Sequence, residues 1–192
     1  MKIEFIIPAY GRPTNLIMTL GSLFSQTNPN FKVHVVADTK YDGFDWAISP
    51  FQHDDRLKVT VLDKRHNDWG HTPRNVGLDM ATEEWVIMTG DDNYYAPIFV
   101  EEFLSVVDDK TGFVYCDMVH NGHNSNMYRP VMCKIKHGDI DMGNFMTRRD
   151  LVGDLRLKTD EFSADWLFIR DFMSRNPGVG VRKIHKWLYV HN

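Results

Sequence analysis

Apolar residues recur along this chain in two spacings, and the spacing switches often. Residues 3–8 form a short apolar run closed by Pro8, as expected of a buried strand. Pro13 takes a first-turn position, and Leu16, Ile17, Leu20, Leu23 and Phe24 follow at helical spacing. Residues 31–38, with Val33, Val35 and Val36, predict a second strand, and residues 57–62 a third with Leu57, Val59 and Val61 turned inward. A helix is expected over 72–81, a fourth strand over 85–89 stopped by Gly90, and a helix opening at Pro97 with Val100, Phe103, Leu104 and Val107 on one face. Alternating strands and helices predict an α/β fold, a mostly parallel sheet covered on both faces.

After Gly112 the pattern changes. Residues 113–119, 127–136 and 181–190 predict strands, and 160–175 a helix carrying Phe162, Trp166, Ile169, Arg170 and Met173. The stretch 121–126 is polar and turn-rich, so a loop. No internal repeat, low-complexity tract or linker interrupts the chain, which predicts one domain over residues 1–192.

Composition narrows the class. At 43% hydrophobic and 25% charged, the 192 residues match an ordinary globule and exclude a disordered, collagen-like or coiled-coil chain. With 22 basic and 26 acidic residues the net charge is -4, which argues against nucleic acid as a partner. Cys116 and Cys133 are too few for a disulfide scaffold and read as small buried hydrophobes in a reducing compartment. No apolar run approaches the roughly 20 residues of a membrane helix, and the first residues lack signal-peptide architecture. A cytoplasmic protein without an integral membrane segment is expected.

Candidate chemistry gathers at the strand ends, where parallel sheets place their ligands. Asp38, Asp63 and the pair Asp91–Asp92 stand there. Adjacent carboxylates repel unless a cation or hydrogen-bond donors compensate, and hard cations such as Mg²⁺ or Mn²⁺ prefer such oxygens. A solvated turn with one aspartate capping a helix explains the dipeptide equally simply. Asp38 alone reads as a strand-to-turn residue, Asp165 as a carboxylate at a helix N-terminus, and Arg74 as a cation on the helix after Pro73.

Together and in order, these segments resemble the glycosyltransferase family 2 group. Phe5-Ile6-Ile7-Pro8-Ala9-Tyr10-Gly11-Arg12 is similar to that family's opening strand and turn, and Val35-Val36-Ala37-Asp38 to its second strand. Pro73-Arg74-Asn75-Val76-Gly77 resembles its Ala-Arg-Asn-x-Gly helix. Trp85 to Asn93 resembles its DXD-bearing strand, and Ala164-Asp165-Trp166 its Glu-Asp-Trp segment. Gly90 replaces the first DXD aspartate, Ala164 replaces the glutamate, and the chain is short for the family, so that no separate acceptor-binding or membrane-attaching region is expected within it.

The resemblance implies a GT-A fold, the nucleotide-diphospho-sugar transferase fold, with a small mixed C-terminal part. Residues 1–111 would form the nucleotide-binding half and 112–192 the acceptor and catalytic-base half. It also implies a metal-dependent, inverting transferase using a nucleotide-diphosphate sugar, a UDP-sugar first, on an unidentified saccharide, lipid-linked or protein acceptor. Pro8, Ala9, Tyr10, Arg12, Asp38, Arg74 and Asp91 would meet the nucleotide. Asp92 and His191 would hold Mn²⁺ or Mg²⁺, with His185 the second candidate histidine, and Asp165 would be the general base. His120 and His123 flank the polar loop, and Trp69 and Trp166 offer rings to a sugar or to packing. A non-catalytic sugar-nucleotide or glycan-binding module of the same fold is the alternative. Nucleotidylyl transfer ranks lower, because the turn after the first strand lacks glycine density.

Overall fold

The computed structural model describes residues 1–122 and 127–192. Four parallel strands open the sheet: β1 (Ile3–Ala9), β2 (Phe31–Ala37), β3 (Leu57–Val61) and β4 (Trp85–Met88). β1 lies between β2 and β4, with Ile3 opposite both Phe31 and Trp85. Its seven residues are all buried, because the sheet is covered on both faces. Alternation then divides them between two cores. Ile3, Phe5 and Ile7 join Leu16, Leu20 and Leu23 of α1 (Pro13–Phe24) on one face. Ile6 faces the opposite side with Leu78 of α3 (His71–Asp79), while α2 (Phe44–Ile48) belongs to the first. Trp85 and Ile87 of β4 point to the first core, Val86 and Met88 to the second.

The rest of the chain extends the same sheet. β5 (Tyr94–Tyr95), α4 (Phe99–Ser105), β6 (Thr111–Asn121) and β7 (Tyr128–Val131) precede β8 (Phe145–Arg148), α5 (Arg149–Val152), α6 (Ala164–Arg175) and β9 (Gly180–His191). The strand order is β3-β2-β1-β4-β8-β6-β9-β5, with β7 paired to β6 beside this path. β8 runs antiparallel to both β4 and β6 and joins the parallel half to the rest. The expected α/β architecture with a mixed C-terminal part is therefore present.

Four details differ from the sequence reading. Val59 and Val61 are exposed: β3 is an edge strand, and the residue it directs toward its neighbour is Thr60, within 2.8 Å of His34 Nε2. The strand expected over 127–136 is regular only over Tyr128–Val131. The helix expected over 160–175 begins at Ala164, so Phe162 lies outside it and is 75% exposed; Ile169 anchors the helix as expected, with Ala164, Phe168 and Phe172 buried beside it and Trp166 and Met173 packed at its margin. β5 and β8 had no separate signal. Of the polar stretch 121–126, residues 123–126, including His123, lie outside the described residues.

Candidate active site

The carboxyl ends of β1, β2 and β4 open into a cleft of about 1420 Å³, closed on the far side by the ends of β6, β7 and β9 and by the start of α6. The ten residues given first-choice roles from the sequence line it: Pro8, Ala9, Tyr10, Arg12, Asp38, Arg74, Asp91, Asp92, Asp165 and His191. His185 does not. It is exposed on β9, where two extra residues interrupt the pairing between Cys116–Ile184 and Asp117–Trp187. Asp63 is exposed and outside the cleft, so the carboxylates of two strand ends converge rather than three.

Asp38 and Asp91 do not occupy neighbouring strands. β1 separates β2 from β4, and its end contacts both: Asp38 N donates to Ala9 O at 3.0 Å, and Tyr10 N donates to Asp91 Oδ2 at 3.2 Å. The Asp38 carboxylate is saturated from within. It accepts the His66 amide at 3.0 and 3.1 Å, the Asn67 amide at 3.1 Å, and faces His66 Nδ1 at 2.8 Å. These bonds hold a loop in which Asn67 (φ 56°) and Trp69 (φ 57°) adopt left-handed backbone that costs non-glycine residues about 1–3 kcal/mol each. Arg74 supports the same loop by donating from Nη1 to Trp69 O at 2.9 Å, and from Nε to Thr89 O at 3.0 Å.

The acidic pair is held differently. Arg12 spans it, with Nη2 2.5 Å from Asp91 Oδ1 and Nη1 2.5 Å from Asp92 Oδ2. Burial pushes the Asp91 carboxyl up to about 6 against the opposing pull of Arg12. Gly90 gives this turn its room: a Cβ there would lie 2.8 Å from Asp92 Oδ1 and 3.0 Å from Asn93 Nδ2. The glycine at the first DXD position therefore has a packing reason.

Across the cleft, α6 presents Asp165 from its first turn, where Oδ1 accepts the Trp166 amide at 2.6 Å. Burial raises its pKa and the nearby Asp141 adds to that, while Arg74 opposes it. Phe162 and Trp69 stand at the mouth as exposed rings packed edge to face, 5.7 Å apart. Trp166 is half-buried against His137. His191 stacks on His120 at 4.7 Å, its Nε2 3.3 Å from Asp141 Oδ2.

Asp141 is the residue that sequence reasoning missed. It caps a short 3₁₀ turn, Met142–Asn144, by accepting the Gly143 amide at 2.8 Å, and the Asp141 amide in turn donates to Asn144 Oδ1 at 3.1 Å. The Asp-x-x-Asn spacing ahead of an apolar strand was its available signal.

Among the described residues no group of three histidine, cysteine or acidic side chains is gathered closely enough to hold a metal alone. A hard cation is commonly bound through one or two carboxylates and completed by substrate phosphates. His191 Nδ1, buried and without a hydrogen-bond partner, is the unused donor atom such a site would need. Asp92 and His191 would suit a divalent cation. Among the described residues no helix is long and apolar enough to cross a membrane.

Comparison with known proteins places this geometry in a family. The family model described as Glycosyl transferase family 2 matches residues 4–173. An uncharacterized glycosyltransferase of Haemophilus influenzae is 28% identical over 126 residues, 62% of this chain and 41% of the relative. Poly(ribitol-phosphate) beta-N-acetylglucosaminyltransferase TarS of Staphylococcus aureus is 29% identical over 111 residues, 57% of this chain and 19% of the relative. The structure of S. aureus TarS in complex with UDP-GlcNAc aligns with a TM-score of 0.83 at 21% identity, covering 99% of this chain and 58% of that one. Mannosyltransferase PcManGT from Pyrobaculum calidifontis, in complex with GDP-Man and Mn²⁺, gives 0.75 at 19% identity, covering 99% and 56%. The chain thus spans less than two thirds of each of these proteins, and their likeness fixes its fold as GT-A.

Proposed function

We propose, from the premise that this chain belongs to glycosyl transferase family 2, that it transfers a sugar from a nucleotide-diphosphate donor to an acceptor hydroxyl with inversion at the anomeric carbon. The observation that carries this reading is one cleft holding a cation-bridged acidic pair at the strand ends and a half-buried carboxylate, Asp165, on the opposing helix. UDP-GlcNAc is the first donor to test, because a fold neighbour binds it; GDP-Man is the second.

Residues 1–111 would seat the nucleotide. The turn Pro8-Ala9-Tyr10 and the loop clamped by Asp38 would frame the base, and Asp91 would face the ribose. Arg12 and Arg74 would counter the phosphate charge. Asp92 and His191 would hold Mn²⁺ or Mg²⁺, which when bound neutralises the leaving diphosphate as a Lewis acid. Residues 112–192 would supply the acceptor side. There Asp165 takes the acceptor's proton as its oxygen bonds to the anomeric carbon and the carbon–oxygen bond to the diphosphate breaks, its electron pair leaving with the nucleotide. Burial suits Asp165 to this task by making it a stronger base than an exposed aspartate. Two free, buried cysteines favour a reducing compartment such as the cytoplasm.

The test is a panel of nucleotide sugars scored for Mn²⁺-dependent thermal shift and donor hydrolysis, since a ligand bound only by the folded state raises the melting temperature. Asp165→Asn should leave donor binding in place and lower turnover by about 10²–10⁴-fold. Full activity in that variant, or a product with retained configuration, would remove Asp165 as base. Donor binding with no turnover by the native protein on any acceptor class would favour the binding-module reading.

A further inference from the structure

We propose that Asp141 is a positioning residue that keeps the proton of neutral His191 on Nε2 and so leaves Nδ1 as the nitrogen that ligates the divalent cation. This rests on the reading of His191 as a metal ligand given above. A carboxylate only accepts hydrogen bonds, so a neutral imidazole paired with one is favoured with its proton on the nearer ring nitrogen. Asp141 Oδ2 lies 3.3 Å from His191 Nε2. Its other oxygen, Oδ1, is already committed to the Gly143 amide at 2.8 Å and the Tyr189 hydroxyl at 2.5 Å. The carboxylate therefore cannot rotate away from the imidazole without breaking two bonds.

With Nε2 as donor, the lone pair falls on Nδ1, the atom that is buried without a partner among the described residues. The stack on His120, 14° from parallel, fixes the plane of the ring. The next residue ties this end of the chain to the acidic turn, because Asn192 N donates to Asn93 Oδ1 at 3.3 Å, one residue beyond Asp92. A histidine whose second nitrogen is held by a carboxylate is a recurring arrangement around bound metals, and losing the carboxylate lowers metal affinity about 10–100-fold.

Asp141→Asn tests this sharply. The Gly143 amide and the Tyr189 hydroxyl need an acceptor, so they retain the new side chain's oxygen at the Oδ1 place. Its NH₂ then faces Nε2 as a donor, and the His191 proton must move to Nδ1. Long-range ¹H–¹⁵N spectra of the metal-free protein at pH 8 read the tautomer directly, with the His191 signal identified by its loss in His191→Ala. Titration with Mn²⁺ in the presence of UDP, followed by electron paramagnetic resonance, gives the affinity.

The expected result is the Nε2–H tautomer in the native protein, the Nδ1–H tautomer in Asp141→Asn, and a loss of Mn²⁺ affinity in that variant of about 10–100-fold. Tyr189→Phe, which leaves Oδ2 in place, should keep the native tautomer. An Nδ1–H tautomer in the native protein overturns the proposal even if Asp141→Asn does not fold. Loss of affinity in His191→Ala but not in a folded Asp141→Asn overturns this proposal alone. Undiminished affinity in His191→Ala, or no Mn²⁺ binding by the native protein, overturns both it and the metal-ligand reading.

Discussion

Asp38 and Asp91 flank the end of the same strand and are almost equally buried, at 5% and 1% exposure, yet their charges are compensated by different means. Asp38 is satisfied by amides and a ring of its own loop, partners set when the chain folds. Asp91 relies on one amide and on Arg12, whose side chain is 53% exposed and can swing away. The first carboxylate serves architecture before it serves a ligand. The second is left poorly compensated, with its pKa raised to about 6, and gains when a better cation or a donor hydroxyl arrives.

Substitutions at the two positions should therefore move stability in opposite directions. Asp38→Ala would orphan the amides of His66 and Asn67 under strained backbone. It should destabilise the fold by about 1–3 kcal/mol in urea unfolding, because the amides it frees are only partly buried. UDP affinity should fall about tenfold in calorimetry, as the loop lining the cleft loosens. Undiminished stability would mean that the loop does not depend on this carboxylate.

Asp91→Asn should stabilise the ligand-free protein at pH 7.5 by up to about 3 kcal/mol, the equivalent of two pKa units. The sign follows from linkage. A carboxyl whose folded pKa lies above its unfolded value binds protons more tightly when native. Native stability then declines as pH rises from about 4 to about 6, and that slope should vanish in Asp91→Asn. The same variant should bind UDP less well, a gain of stability traded for function. Smaller still, Arg12→Gln should change unfolding by about 1 kcal/mol, because an exposed partner is screened by water. Its clearer effect should be a further rise of the Asp91 pKa, measured by carboxyl-carbon NMR; an unmoved pKa would mean that the ion pair seen here is not populated in solution.

Legibility followed the range of the interactions involved. β1, β2 and β4 are short segments dominated by apolar residues, and Asp38 and Asp91–Asp92 are recognisable because they follow such segments. β3 misled because its alternating valines look like a half-buried strand, whereas its edge position exposes Val59 and Val61. β8 is four residues long and exists because β4 and β6 pair with it from both sides, information that no local window contains. Asp141 was hidden for the same reason: Tyr189, which gives it meaning, lies 48 residues further along the chain. Spacing also placed one residue too many on α6. Phe162 continues the apolar rhythm without belonging to the helix.

Tyr189 has one more implication. Its ring is fully buried and packs on Tyr95 at 5.3 Å; Tyr95 packs on Phe99 at 4.7 Å, and Phe99 on Phe103 at 3.9 Å. This file of aromatic rings runs from α4 through the interior and ends in a hydroxyl bonded to Asp141 in the cleft. Variation that reshapes the interior, such as a smaller side chain at Phe103, would arrive at the cleft as a displaced carboxylate. Drift in this buried aromatic file would thereby reach the shape of the cleft, and thermal tolerance and cleft geometry would change together rather than apart.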